Sequence, residues 1–517
     1  MTRENLYDAL TNVKDELVEE ANEARPARKR VNWMKWGSIA AAAVLVIGAG
    51  AWWTLSHWHL GSSSAGGSGH DDGSTVFMSY AGPVFPLTAL EGGEGLTAER
   101  HLTYDFYRWT LDPQTAYGDL QVTDTYTLQN PTGEDRTVTL LYPFVSALVD
   151  LDRYYERTPV LTSGEEKLDT VLHAGGYSGG FQAPGGSGEE GPLLNLAQLN
   201  SWEQYKALLS DGRYLDAALG DYPDLSGLPV TVYKFTDAHG PERDYDGGVP
   251  NPTIRAYFDL DYDRTTVLAY GFHGASWDRE NGKMIQSFSI RRPGSRNYGE
   301  PYFLYVLGDD IQNLTTGGYV TGGTDQDTPK LDGCEVTVER YETDLESALR
   351  EAAGLMWDWI GEDGAEEERP DFELYFGLMK EFLCSYGALS GKDVARYHTG
   401  WLEDMDFAAV DRVFYLEAEV TVPAGGSVQV TAHIRKDPSF DHYCAHTENR
   451  GIYGYDMVTR LGSSLDFTAQ TARTVNTDGL EIVRQNYGFD WANGVNEIEL
   501  DQNVEHYYLE VRRAETE

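Results

Sequence analysis

Residues 120–144 read LQVTDTYTLQNPTGEDRTVTLLYPF, and this stretch indicates the fold class. Apolar side chains alternate with Thr and Gln on both sides of the run NPTG at 130–133. Such alternation is typical of a β-strand with one buried face, and Asn, Pro and Gly are typical of turns. The stretch therefore predicts two strands joined as a β-hairpin with one buried face.

A second stretch, VFYLEAEVTVPAGGSVQVTAHI at 413–434, shows the same alternation around the turn sequence PAGG and predicts another hairpin. Further strand-like runs occur at 229–236, 254–260, 265–272, 284–291, 302–307, 464–471, 480–485, 495–500 and 506–512. Many short strands separated by turns favour a β-sandwich. We expect a mainly β protein with a β-rich region at 76–340 and a β-sandwich-like region at 401–517, and the sequence leaves open whether these are one domain or two.

Residues 341–400 interrupt the β pattern and predict a helical hairpin. Apolar residues recur at helical spacing from Leu345 to Ile360, after the capping-box sequence TDLE at 343–346. A second helix is predicted from 371 to 386, between Pro370 and Gly387. The fold class expected is therefore mainly β with a helical insertion.

A transmembrane helix is predicted at 36–55, where WGSIAAAAVLVIGAGAWWTL has no charged residue. About 20 apolar residues span the hydrocarbon core of a bilayer. Five of the twelve tryptophans lie at its two ends, and five cations lie between 25 and 35. Tryptophan at the interfaces and positive charge on the inner side predict a cytoplasmic N-terminus. The alternative is a signal peptide cleaved near 49–51, but the segment 1–35 before the apolar run is long for a signal peptide.

The flanking segments extend this topology. Residues 1–35 contain one apolar stripe, and residues 56–75 form a Gly/Ser-rich linker to an extracellular bulk. The net charge of −43 belongs entirely to residues 56–517 and argues against nucleic-acid binding, which needs a basic face. An isolated amphipathic helix needs a partner for its stripe, and we expect a cytoplasmic protein to bind Leu6, Leu10, Val13 and Leu17.

The first 60 residues resemble a group of single-pass membrane proteins of Gram-positive bacteria, the anti-sigma-like regulators encoded beside alternative sigma factors. The matching features are NLYDAL at 5–10, ELVEE at 16–20, the Arg/Lys cluster and the Ala-rich span. The resemblance implies that the inner helix contacts a sigma factor. Zinc-containing members carry a His-x3-Cys-x2-Cys cluster, whereas residues 1–35 contain neither His nor Cys. The outer region resembles uncharacterised bacterial surface domains, from which no functional residue carries over.

Two clusters have metal-ligating side chains. Alternate carboxylates at Asp259, Asp261 and Asp263 offer oxygen ligands of the kind calcium prefers, although they also suit a solvated strand face. The run His442-Tyr-Cys444-Ala-His446 offers imidazole and thiolate ligands for zinc or copper if it is extended. Cys334 and Cys444 are also candidates for a disulfide, which spacing alone does not establish. No resident cofactor is expected.

The function expected is that of a membrane-anchored extracytoplasmic sensor or regulator whose inner helix binds a protein partner. The alternative is a tethered surface module that binds glycan or protein and has an inert cytoplasmic tail. Four tryptophans could supply a sugar-stacking platform, although aromatic residues also favour strands and cores: Trp202, Trp277, Trp401 and Trp491. No constellation of catalytic residue types at useful spacing is present, so an enzyme is the third possibility.

Overall fold

The computed structural model describes residues 82–517 except 112–117, 152–157, 178–201, 203–205, 207–211, 361–368, 386, 391–400, 406, 410, 442–450 and 515–517. The described residues belong to one compact unit and are mainly β, as the alternating sequence pattern predicts. None of the described helices is both long and apolar enough to cross a membrane. The predicted membrane span at 36–55 and the inner helix lie outside the described residues.

Two sheets enclose the larger core and form what we call the main sandwich. The first has the order β1 (Thr88–Glu91), β4 (Arg136–Ser146), β16 (Arg412–Val422) and β7 (Val171–Tyr177). The second has the order β22 (Glu497–Glu499), β20 (Asp466–Val475), β2 (Thr97–Asp105), β3 (Leu120–Gln129), β17 (Ser427–Lys436), β5 (Val160–Ser163) and β6 (Glu166–Lys167). Strands from 76–340 and from 401–517 therefore share both sheets.

Both predicted hairpins are wrong, because the two strands of each pair do not bond to each other. β3 pairs with β2 and β17, whereas β4 pairs with β1 and β16. Each predicted turn carries the chain from one sheet to the other as an arch, and the two arches lie side by side. Alternation reveals that a strand has a buried face, but it does not reveal which strand lies beside it.

The turns of the two arches interlock at one end of the main sandwich. The Asn130 N–H donates to the Gly426 carbonyl at 2.9 Å, and the Gly425 N–H donates to the Thr132 carbonyl at 2.8 Å. The Asn130 side chain also donates to the Val422 carbonyl at 3.1 Å. These bonds satisfy backbone groups that a sheet-to-sheet turn would otherwise leave unpaired.

Residues 229–344 form a second, inserted sandwich of eight antiparallel strands. One sheet has the order β10 (Thr265–Tyr270), β13 (Tyr302–Gly308), β8 (Pro229–His239) and β15 (Glu335–Asp344). The other has the order β11 (Gly274–Asp278), β12 (Lys283–Ser289), β9 (Thr253–Asp259) and β14 (Gln312–Tyr319). Phe235, Phe258 and Phe288 are buried between them.

Two helices follow the inserted sandwich, and the first of them packs on the outer face of its first sheet. They are α3 (Leu345–Trp357) and α4 (Phe372–Ser385), and they pack together as the predicted helical hairpin. Phe303 and Tyr305 of β13 join the core beneath these helices, whereas Leu304 between them joins the core of the inserted sandwich. The N-cap is Asp344, whose side chain accepts from the Ser347 N–H at 2.8 Å, and not Thr343 as the capping-box pattern predicts.

The remaining elements close the main sandwich. A small sheet has the order β18 (Phe440–Asp441), β19 (Tyr453–Val458), β23 (His506–Arg513) and β21 (Leu480–Gln485). Helix α1 (Tyr107–Leu111) lies beside β3, and helix α2 (Arg213–Leu219) packs on β7. A 3-10 turn, Leu402–Met405, precedes β16.

A fully buried ion pair lies inside the main sandwich. Arg100 on β2 donates from Nε and Nη2 to the two carboxylate oxygens of Asp124 on β3, at 2.9 and 2.8 Å. Arg100 also donates to the carbonyls of Val458 at 2.7 Å and Phe85 at 3.1 Å, and the Tyr126 hydroxyl donates to Asp124 at 2.6 Å. A buried ion pair needs this degree of hydrogen bonding to offset its desolvation.

Replacing Asp124→Asn should lower the free energy of unfolding by about 3–5 kcal/mol, because the Arg100 cation would stay buried without its counter-charge. Urea unfolding of the full chain measures this change. The control is Glu373→Gln, which breaks an exposed pair with Arg350 and should cost less than about 1 kcal/mol. Equal effects of the two substitutions would contradict this account of the core.

Candidate functional site

A groove of about 430 Å³ lies between the edge strand β7 and the helices α2 and α4. β7 ends its sheet, and β16 is the only described strand that pairs with it. Leu172, Leu219, Leu374 and Phe376 supply apolar walls, while His173, Tyr222 and Lys380 supply polar groups. Ligand sites in proteins commonly have this size and this mixture of apolar walls with a few polar groups.

Tyr222 and Gly377 set the shape of the groove. The Tyr222 ring lies so close to α4 that a Cβ at position 377 would be 2.4 Å from its Cδ2 atom. A glycine is therefore required at this helical position. Burial raises the pKa of the Tyr222 phenol to about 12, although the nearby Arg412 cation acts in the opposite direction. The Tyr222 side chain is therefore neutral at physiological pH.

Three polar side chains that line the groove, those of His173, Glu373 and Lys380, each bond a partner beyond its lining. The pairs are His173 Nε2 with Glu417 Oε2 at 2.9 Å, Lys380 Nζ with Glu346 Oε1 at 2.6 Å, and Glu373 Oε1 with Arg350 Nη1 at 2.6 Å. The bond from Arg350 also lowers the pKa of Glu373. These pairs hold the side chains in place and occupy part of their hydrogen-bonding capacity.

A buried cation lies close to Tyr222. The Arg412 side chain on β16 is 1% exposed and donates from Nη2 to Glu381 on α4 at 2.8 Å. Its guanidinium carbon lies 4.1 Å from the centre of the Tyr177 ring. Among the described residues, its Nε and Nη1 atoms have no hydrogen-bond partner. Arg412 therefore ties the sheet to α4 and holds positive charge close to one wall of the groove.

A second group of perturbed residues surrounds the 3-10 turn at Leu402–Met405 and does not line the groove. Burial raises the pKa of Glu403 to about 8. Its Oε1 atom accepts from the Gly271 N–H, while its Oε2 atom is buried with no hydrogen-bond partner in the part of the chain that the structure describes. Burial also raises the pKa of Tyr270 and Tyr375, and Glu403 adds to both shifts. The Glu403 carboxyl group therefore favours its neutral form near pH 7. A neutral side chain is buried at lower cost than a charged one where the turn packs against β10.

The carboxylates proposed for calcium do not form a cluster in the structure. Asp259 accepts from Asn313 Nδ2 at 2.7 Å and from Lys283 Nζ at 3.2 Å, and these bonds lower its pKa. Asp261 accepts from the Asp263 N–H at 3.0 Å and so closes a turn. In the described part of the chain, no group of three His, Cys, Asp or Glu side chains is placed to hold a metal ion.

Several predicted site residues lie outside the described residues. They are His442, Cys444 and His446, proposed for zinc or copper, and Leu6, Leu10, Val13 and Leu17, proposed for a partner. Cys334, considered for a disulfide, is a free thiol, as is Cys384. Burial raises the pKa of both thiols.

The four tryptophans considered for sugar stacking serve different local contacts. Trp202 stacks on His506 with ring centres 4.4 Å apart. Trp401 donates to Gln286 at 3.0 Å, and Trp491 donates to Thr474 at 2.8 Å. Trp277 on β11 is the most exposed of the four, at 47%.

Sequence reasoning did not find the groove. Its lining comes from 172–173, 218–222 and 373–380, which belong to three elements far apart in the chain. No spacing rule relates His173, Tyr222 and Lys380. The only local signal is Gly377, a glycine within an otherwise good helical sequence, because such a glycine often marks a close approach by another group.

Neither a protein-family model nor a curated protein matches the chain.

Replacing Gly377→Ala should destabilise the protein by about 1–3 kcal/mol, because the new Cβ would collide with the Tyr222 ring. The control is Gly354→Ala in α3, where a Cβ would meet nothing within 4 Å. That control should be neutral or stabilising by up to about 1 kcal/mol, since alanine favours helix. Urea unfolding of both variants provides the comparison, and stabilisation by Gly377→Ala would contradict the described contact.

Glu403 predicts a pH dependence of stability. Its pKa of about 8 in the folded chain exceeds the ordinary value of 4.5, so the folded state binds the proton more tightly. The stabilisation of the folded state by protonated Glu403 is therefore complete below about pH 4.5 and is lost progressively as the pH rises to about 8. Each pKa unit corresponds to about 1.4 kcal/mol. The free energy of unfolding should therefore decline by a few kcal/mol over this pH range, and Glu403→Gln should remove that decline.

Urea unfolding at several pH values between these limits measures this slope. The control is Glu419→Gln, at an exposed position on β16. This control should keep the slope of the unsubstituted protein. An unchanged slope in Glu403→Gln would show that Glu403 is not the group responsible.

Proposed function

We propose that the protein is a membrane-anchored extracytoplasmic sensor, in which the groove beside β7 binds a ligand and the inner helix binds a cytoplasmic protein. The apolar, charge-free segment at 36–55 and its flanking cations support the anchored topology. The stripe formed by Leu6, Leu10, Val13 and Leu17 supports the inner contact. A sigma factor is the partner class suggested by the resemblance of the first 60 residues.

The observation that carries the proposal is the groove itself. It combines four apolar side chains with a tyrosine side chain, with His173 hydrogen-bonded to Glu417, and with ion-paired Glu373 and Lys380. A catalytic base or nucleophile is usually activated towards the substrate. Here the ion pairs instead stabilise a fixed arrangement of donors and acceptors, which favours binding over reaction. A small amphipathic molecule or a short peptide suits these walls.

The groove is also placed where a bound ligand could alter the structure. Its walls belong to the main-sandwich sheet and to α4, which are linked by Arg412 and Glu381. A ligand that contacts both walls stabilises their joined arrangement relative to a separated one. A ligand changes a conformational equilibrium only through such differential contacts.

A tethered surface module for glycan or protein is the second candidate. The exposed Trp277 on β11 favours it, because exposed aromatic side chains are common anchors for binding partners. In this case the inner helix would have no role, and its removal would leave binding intact.

Co-purification from native membranes tests the sensor. Leu10→Asp combined with Leu17→Asp should abolish recovery of a cytoplasmic partner while membrane insertion persists, because two carboxylates would interrupt the apolar stripe. Leu374→Trp should fill part of the groove and change the amount of recovered partner at least about twofold, by imitating an occupied state.

Matched controls separate these effects from general damage. Thr11→Asp with Asn22→Asp adds the same charge on the other face of the predicted inner helix, and Leu90→Trp adds the same bulk at an exposed site away from the groove. Both controls should retain the partner at its usual level. The sensor proposal is rejected if the variant with Leu10→Asp and Leu17→Asp still recovers the partner. It is also rejected if the unsubstituted chain recovers no cytoplasmic protein.

A further inference from the structure

The groove opens along the free edge of β7. Leu172 and His173, which are consecutive on β7, both line it. Because consecutive side chains of a strand point to opposite faces of a sheet, a groove that both of them line passes over the backbone edge between those faces. Among the described residues, the backbone groups of 171–174 bond only β16. The other edge of this stretch therefore has N–H and C=O groups available for another strand.

The helices α2 and α4 flank this edge on opposite faces of the sheet. On the outer face, Tyr214 of α2 packs with Tyr415 of β16. On the inner face, Phe376 of α4 belongs to the core that contains Leu416 of β16. A strand added at the edge would therefore continue the sheet between the two helices, with alternate side chains directed towards one helix or the other.

Two large apolar side chains remain exposed beside this edge. Val171 at the start of β7 is 57% exposed, and Leu219 in the wall formed by α2 is 44% exposed. Isolated exposed apolar residues are common on protein surfaces. Here both lie next to one unpaired strand edge, so an occupant of the groove would remove apolar surface and unpaired backbone groups from water together.

The two sides of the groove favour different side chains on an added strand. The wall from α4 is apolar at Leu374 and Phe376. Beside α2, Asp221 lies between two lining residues, is exposed, and has no ion pair in the described part of the chain. Lys380 in the lining is neutralised by Glu346. With a net charge of −43 on the whole chain, the groove therefore favours a ligand that alternates apolar and basic groups.

We propose that the groove binds an extended peptide segment of another protein, which pairs with residues 171–174 as a fifth strand of the first main-sandwich sheet. The bound segment presents apolar side chains to α4 and basic side chains to the acidic rim beside α2. In this mode of recognition the main-chain hydrogen bonds supply affinity, and the pockets for alternate side chains supply specificity. The inference rests on the proposed ligand-binding role of the groove and names its ligand class.

A second copy of the chain is a less suitable occupant. Its own β7 is also flanked by α2 and α4, so pairing of the two edges would bring both pairs of helices against each other. The two copies would also repel each other, since each has a net charge of −43. A single extended segment has neither obstacle.

Titration of the full chain with a short fluorescent peptide of alternating valine and lysine tests the proposal. A peptide of alternating valine and glutamate should bind at least about tenfold more weakly, because its charge has the same sign as the protein. Two further peptides carry N-methyl groups on all valines or on all lysines. At least one of them should bind at least about tenfold more weakly, because it lacks the N–H groups that face β7.

Hydrogen exchange and one pair of variants locate the bound peptide. Exchange of the segment 171–174 should slow at least about tenfold in the complex, because its free N–H groups gain partners. Leu374→Trp should weaken binding at least about tenfold by filling the groove. Leu90→Trp adds the same bulk at an exposed site outside the lining and should leave the affinity unchanged.

The proposal is overturned if both N-methylated peptides bind as tightly as the unmethylated one, since the groove would then recognise side chains alone. It is also overturned if the glutamate peptide binds as tightly as the lysine peptide, or if binding leaves exchange of 171–174 unchanged. No binding of the lysine peptide overturns it too, and dimerisation that Leu374→Trp abolishes would then assign the edge to a second copy. Loss of the cytoplasmic partner with intact peptide binding would reject the sensor alone.

Discussion

The ion pair between Arg100 and Asp124 is the constraint around which the main sandwich is organised. The two residues lie on neighbouring strands of one sheet, while the Tyr142 hydroxyl reaches Asp124 from the opposite sheet at 3.3 Å. Arg100 also binds the Val458 carbonyl on β19. Three sheets therefore meet at one pair of charges. Because removal of either charge would leave the other buried and unpaired, this polar centre requires the sheets to keep one relative position.

The arched connections explain how the other layers are attached. The chain leaves the main sandwich after β7 and returns at β16, which pairs with β7. The whole inserted sandwich and the helices α3 and α4 lie between these two points in the sequence. Helix α4 is thereby held against the main sandwich, where it is bonded to Arg412 and forms one wall of the groove.

The groove suits a ligand that fits its shape. It combines apolar walls with a few polar side chains, and the charged groups of Glu373 and Lys380 are already ion-paired.

The sequence by itself determined many of the strand positions, the helical hairpin and the acidic character, because periodicity and charge are local properties. The runs at 229–236, 265–272 and 302–307 correspond to β8, β10 and β13. Only the tertiary structure decided the pairing of strands, since the same alternation at 120–144 serves a hairpin or an arch equally well. It also decided the candidate groove, because Tyr222 and Lys380 line one groove only through long-range packing.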